Sequence, residues 1–200
     1  MDFKDVVRRR RSVRDFALAL PDPAVIDAII DTARRAPTAG FAQGIDFLVV
    51  DDPGDLETFW RLTAAPDEDD QDDDDEAGQP PVLVMVWSDP QRYLARYSAE
   101  DKIRFGLDDP DAWPVRFWDV DAGMAAMQLQ LAAVNEGLAT WFFGIAFGED
   151  AVREHFNVPA DRMMAGIIAL GFRDPDEVAI GSGTTRPRRA LDEQLHRNVW

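Results

Sequence analysis

Residues 119–136 read Asp119-Val-Asp-Ala-Gly-Met-Ala-Ala-Met-Gln-Leu-Gln-Leu-Ala-Ala-Val-Asn-Glu136, and this spacing predicts a helix that is apolar nearly all round. Val120, Met124, Met127, Leu131 and Val134 recur on one stripe, while Ala122, Ala125, Leu129 and Ala132 make the opposite side apolar as well. A surface helix needs one apolar face. A helix with two is central to its domain or shared with another subunit. Gly137 follows where a helix commonly ends in a left-handed residue.

Working outward, Leu138 to Phe147 reads as an aromatic-rich strand, Glu149 to Phe156 as a short helix and Ala165 to Leu170 as a further strand. Upstream, Pro81 to Trp87 is an apolar run that suits a strand buried on both faces, and Ile45 to Val50 is another strand. Residues 2 to 11 form a first helix, with Phe3, Val6 and Val7 on one face. Asp22-Pro23 supplies an N-cap followed by proline at the first helical position, and that second helix runs to about Ala36 before Pro37. A short helix covers Asp55 to Leu62, and a helix followed by a loop covers Asp89 to Trp118. No G-x-G-x-x-G or G-x-x-x-x-G-K-[ST] loop is present. The pattern is a mixed α and β domain, not a Rossmann dinucleotide fold.

The chain has 200 residues, 46% of them apolar, with 6 Trp and 12 Phe, enough for the core of one globular domain. Its net charge of -17 disfavours nucleic acid, whose phosphates it would repel. Nine of those charges lie among the ten residues Asp67 to Glu76, leaving -8 for the rest. Such a segment cannot pack, so residues 66–80 are expected to form a solvated loop. The chain has no Cys and only two His, His155 and His196, both expected at the surface. That removes thiolate chemistry and argues against a zinc site or a Ser-His-Asp triad. No apolar run reaches the length of a membrane span, so a cytoplasmic location without membrane contact is expected.

Against this acidic background, five arginines crowd into seven residues, Arg8-Arg9-Arg10-Arg11-Ser12-Val13-Arg14. The bland reading is a solvated helix end. The alternative is an anion: guanidinium forks match phosphate oxygens and stay charged at every relevant pH. Arg186, Arg188 and Arg189 near the end of the chain could converge on the same ligand.

Three stretches resemble the flavin-dependent nitroreductase family. Arg10-Arg-Ser-Val-Arg14-Asp-Phe16 is similar to that family's opening R-R-S-x-R-x-F. Ala36-Pro-Thr-Ala-Gly-Phe-Ala-Gln43-Gly-Ile-Asp-Phe47 is similar to A-P-S-x-x-N-x-Q-P-W-x-F. Asp121-Ala-Gly123, Gly137-Leu138 and Gly144 combine with Arg186-Pro-Arg-Arg-Ala-Leu-Asp-Glu193 at the close of the chain. The resemblance implies an α+β fold, a central mixed or antiparallel sheet flanked by helices. It implies one domain over residues 1–200, with residues 173–200 as an extended tail exchanged within a homodimer.

The resemblance also implies FMN at the subunit interface and electron transfer by ping-pong hydride transfer from NADH or NADPH to nitroaromatics, quinones or similar small flat acceptors. Carried over by position, Arg10, Arg11, Ser12 and Arg14 would hold phosphate and ribityl oxygens, with Arg186 and Arg188 closing the phosphate site. Thr38, Ala39, Gly40 and Gln43 would line the flavin ring, although Gln43 also reads as a plain turn residue. Phe143 and Gly144 would meet the other edge through backbone groups. No protein side chain is needed as catalyst, because the flavin carries the chemistry.

The sequence departs from the family pattern at Phe41, Gly44-Ile45 and Phe143. Phe41, Trp141 and Phe142 could form an aromatic acceptor pocket, or Trp141 and Phe142 could be core strand residues. Reductive dehalogenation, flavin fragmentation and non-catalytic flavin sequestration remain alternatives to nitroreduction.

Overall fold

The structure is a computed structural model that describes residues 1–65, 79–180 and 182–200. The acid-rich segment Asp67 to Glu76 lies outside the described residues. Gln79 beyond it is exposed, while Pro80 and Pro81 are already buried.

Strand β2 (Val82–Ser88) is buried at every position, as its unbroken apolar run predicts. It lies inside a four-stranded sheet of order β1-β2-β4-β3, in which β1 is Ile45–Val50, β3 is Ala139–Phe143 and β4 is Met163–Gly171. All three ladders are antiparallel. Outside β3, Ser12 makes an isolated parallel bridge to Thr140, and the Val13 N–H donates to the Thr140 carbonyl at 3.1 Å.

Side chains alternate across the strands, so each face has its own core. On one face Val82, Val84, Val86, Ile168 and Leu170 meet Ile26, Ile29 and Ala33 of α2 (Pro23–Ala33) and Ala122, Ala126, Leu129 and Ala133 of α5 (Phe117–Asn135). On the other, Leu83, Met85, Trp87, Ile167 and Ala169 meet Phe59 of α3 (Pro53–Thr63), Val152 of α6 (Glu149–His155), Val13 and Phe16. The fold is α+β, with helices on both faces of the sheet.

α5 behaves as its double apolar character requires. Ala122, Ala125, Leu129 and Ala133 are closed off against the sheet, whereas Val120, Met124 and Met127 are 41%, 37% and 46% exposed. Gly137 ends the helix at φ 84°. At α2 the Asp22 carboxylate accepts from the Ala24 N–H at 2.9 Å, and Pro23 opens the helix. The helix stops at Ala33 rather than Ala36, since Ala36 precedes a proline and is disfavoured from helical geometry.

Other boundaries also shift. β3 ends at Phe143 and does not reach Phe147, which is 48% exposed. Phe143 is held by ring stacking against Trp141 and Trp60, and its pairing with Ile167 is the last of the ladder. The weakly patterned stretch contains α4 (Pro90–Tyr97) and two short 3-10 turns, gathered around a small cluster of Tyr93, Trp113 and Trp118. α1 (Phe3–Arg9) opens the chain. The tail is not simply extended, because Ser182–Thr185 (α7) and Leu191–Glu193 are short helical turns. From Val178 onward every described residue is exposed. No helix among the described residues is long and apolar enough to cross a membrane.

Candidate functional site

The turn from Thr38 to Gln43 carries three left-handed residues, Gly40 (φ 61°), Phe41 (φ 60°) and Gln43 (φ 53°). Only the glycine takes this conformation without steric cost; each of the others is strained by about 1–2 kcal/mol. Several contacts hold the turn against that strain. The Ala39 N–H donates to Asp121 Oδ2 at 2.7 Å, and the Tyr93 hydroxyl donates to the same oxygen at 2.8 Å. Arg96 Nε donates to the Gly40 carbonyl at 2.8 Å, and the Gln43 N–H donates to Thr38 Oγ1 at 3.0 Å.

Asp121 is therefore a buried carboxylate satisfied by two neutral donors. Hydrogen bonds to a charged group are the stronger kind, contributing about 1.5–3 kcal/mol each. Burial, then the hydrogen bond and charge of Asp121, push the Tyr93 phenol far above its ordinary value, so it stays a donor. Arg96 is fixed in turn by a bidentate pair with Asp101 at 2.8 and 2.6 Å, which lowers the Asp101 carboxyl to about 2. Thr38 and Gln43 border a crevice of about 160 Å³ that Arg34, Ile45 and Ala125 also line.

The arginine run meets the opposite edge of the sheet. Arg11 pairs with Glu177 at 2.7 Å, and the same carboxylate takes Arg173 at 2.8 Å; the Glu177 side chain is only 2% exposed. Arg14 lies over the Trp141 ring at 5.2 Å and donates to the Ile180 carbonyl at 3.3 Å. The side chains of Arg10, Ser12, Arg186 and Arg188 make no hydrogen bond or ion pair among the described residues. Within this chain the tail arginines are exposed and do not pair with the first cluster's carboxylates.

Two groups of candidate residues thus stand apart. The turn feeds β1 at one edge, while Ser12 lies outside β3 at the other; β1 and β3 are themselves three strand spacings or roughly 14 Å apart across the sheet. Along α5, Asp121 serves the turn, and Gln130 receives the Thr140 hydroxyl at 3.4 Å beside Ser12. Those nine residues span roughly 14 Å of helix.

The aromatic candidates are also divided. Trp141 and Phe143 stack at 4.5 Å on the α3/α6 face. Phe142 faces the α5 side, where its ring covers Gly166 so closely that a Cβ there would lie 2.4 Å away. Phe41, 74% exposed, stands on the turn at the far edge. One chain does not assemble these aromatics into a single pocket. Phe143 has its ring engaged in the core and pairs with Ile167 at the end of the β3–β4 ladder. A Cβ added to the neighbouring Gly144 would meet nothing within 4 Å.

Sequence reasoning quoted Asp121 only as part of a family-like stretch, and gave none of Asp121, Tyr93, Arg96 and Glu177 a part in supporting the turn or the arginines. Asp121 had one legible signal, a carboxylate in the midst of an apolar helix, which must find donors. Nothing local marks Tyr93, Arg96 or Glu177.

The profile of the Nitroreductase family matches residues 7–172. No curated protein sequence matches the chain at a significant level. Among solved structures, a nitroreductase family protein from Streptococcus pneumoniae TIGR4 superposes with a TM-score of 0.75 at 19% identity, covering 98% of this chain and 100% of that one. A nitroreductase-like protein from Streptococcus mutans gives a TM-score of 0.75 at 18% identity over 98% of each chain. A Parabacteroides distasonis protein assigned as an NADH dehydrogenase/NAD(P)H nitroreductase gives 0.68 at 19% identity, over 99% and 98% of the two chains. At these identities the superpositions speak to fold.

Proposed function

The chain belongs to the nitroreductase family, and from that premise we propose that it is a cytoplasmic, homodimeric, FMN-dependent oxidoreductase. It would take electrons from NADH or NADPH and reduce nitroaromatics, quinones or similar flat acceptors. The observation that carries the reading is the arginine face at the β3 edge. Arg10 and Ser12 offer unengaged donors, and Arg14 is aligned over Trp141, in a chain of net charge -17. Guanidinium forks and a hydroxyl are the donor set that a phosphate with an adjoining polyol requires, so the residues present fit FMN.

In this reading Arg10, Ser12 and Arg14 hold the phosphate and ribityl oxygens, with Arg186 and Arg188 closing the site. Arg11, already engaged by Glu177, contributes from behind. Thr38, Ala39, Gly40 and Gln43 line the ring, and the Phe143 and Gly144 backbones meet its other edge. Bound FMN supplies the hydride chemistry, so the protein needs no nucleophile or general base of its own. The protein's task is position and electrostatics. Asp121 and Tyr93 keep the turn in one shape, and the left-handed residues aim its backbone.

The separation of the two residue groups supports the dimer. A turn at one edge and an arginine face at the other complete each other when a second copy brings its turn to the first copy's arginines. The open stripe of Val120, Met124 and Met127 offers such a copy an apolar face, and the exposed tail described over residues 178–180 and 182–200 would cross to it.

The test is an absorbance spectrum of the purified protein followed by anaerobic addition of NADH or NADPH. A yellow protein that bleaches, and whose colour is lost in Arg10→Ala/Arg188→Ala, is the expected result. A colourless protein that takes up no FMN would refute the proposal. Bound FMN that neither nucleotide reduces would point to a flavin-holding protein instead.

A further inference from the structure

We propose that the cleft between α1 and the C-terminal end of α5 binds a phosphate ester of about nucleotide size, separately from the face formed by Arg10, Ser12 and Arg14. The cleft measures about 520 Å³. Arg8, Arg9, Arg11 and Arg173 wall it, and Val134 and Leu138 contribute an apolar floor. Arg10, Ser12 and Arg14 do not line it, although they are interleaved in sequence with residues that do. Arg8 and Arg9 reach the cleft from the last turn of α1; beyond Arg10 the chain leaves the helix, and Arg11 and Val13 fall on the cleft side while Ser12 and Arg14 fall on the other.

The charges in the cleft are not balanced from within. The Arg9 side chain has no hydrogen bond or ion pair among the described residues. Arg8 has Asp5, at 3.3 Å and largely in solvent. Arg11 and Arg173 share the single carboxylate of Glu177. Four guanidiniums thus face two carboxylates, a local positive surplus in a strongly acidic chain.

Glu177 is nearly closed to water and accepts from both Arg11 and Arg173, so it holds two forks in place while its single charge offsets only one of theirs. Planar forks at fixed orientation are suited to phosphate oxygens. The floor provides contact for the uncharged part of the ligand, and the rim is open: a Cβ on Gly137 would meet nothing within 4 Å. This inference requires no flavin and does not depend on the proposed function.

The experiment is a calorimetric titration of ADP into the full-length protein as purified, with adenosine as the uncharged control. One ADP per chain is expected, with affinity falling as salt rises and no heat from adenosine. Arg9→Ala/Arg173→Ala should weaken binding about tenfold or more, the size of a lost charge-assisted contact. Arg9→Glu, which disturbs neither Glu177 nor the core, should weaken it as well. Arg10→Ala/Arg14→Ala should leave it unchanged. The proposal is overturned if ADP does not saturate, or if the cleft variants bind it as the wild type does. It is equally overturned if affinity is lost only in Arg10→Ala/Arg14→Ala, which would place ADP in the flavin phosphate site.

Discussion

The hydroxyl of Tyr93 donates to Oδ2 of Asp121 at 2.8 Å, and the two residues are 0% and 1% exposed. This bond joins α4 to α5, and through the Ala39 N–H on the same oxygen it reaches the left-handed turn. A buried carboxylate with few donors is sensitive to the loss of either one.

Tyr93→Phe should therefore destabilise the fold by about 1.5–3 kcal/mol, the value of one hydrogen bond to a charged acceptor. Asp121→Ala should cost about 2–5 kcal/mol, since it strands two buried donors. Urea denaturation measures both. Unchanged midpoints would mean that the turn does not depend on this carboxylate.

Gly44→Ala tests how closely α4 approaches the turn. A Cβ at Gly44 would lie 2.6 Å from Tyr93 Cε2 and 2.9 Å from the Asp89 carbonyl oxygen. Neither the buried ring nor the backbone has room to yield, so a loss of about 1–3 kcal/mol is expected in thermal unfolding. The same contact accounts for glycine where the family pattern has proline.

The Arg96–Asp101 pair predicts an acid limit for the turn. Arg96 lowers the Asp101 carboxyl from 3.8 to about 2. A carboxyl lowered in the folded state contributes stability above its unfolded value, and that contribution is lost as pH falls through the folded one. Protection of the turn's amides from hydrogen exchange, corrected for intrinsic rates, should be flat above pH 4 and decline between about 4 and 2. Asp101→Asn should abolish that step. Because the pair is exposed, the effect is on the turn, not on global stability.

Met124→Glu addresses the proposed dimer. Met124 lies 37% exposed between Val120 and Met127 on the open stripe of α5, away from the sheet. Like charges facing each other across a two-fold should shift the sedimentation mass towards the monomer and reduce flavin retention in parallel. A dimer of undiminished affinity would show that this stripe is not the interface.

The sequence by itself determined the elements whose pattern is local. β2 appeared as an unbroken apolar run because both its faces are covered. α2 appeared through Asp22 and Pro23, and α5 through its double apolar face. Pattern alone reached a mixed α and β domain, and the resemblance of three motif stretches, from Arg10-Arg-Ser-Val-Arg14 to the closing arginines, pointed to the family and its α+β fold. Tertiary structure alone decided what supports the candidate site. Asp121 meets a tyrosine 28 residues away, and Arg11 meets a glutamate 166 residues away. Such partners leave no periodic trace, because a hydrogen bond constrains one atom pair and not a repeating face. Only the sheet order β1-β2-β4-β3 revealed that the turn and the arginine face occupy opposite edges of one chain. Strand adjacency is set by long-range pairing, and spacing along the sequence does not encode it.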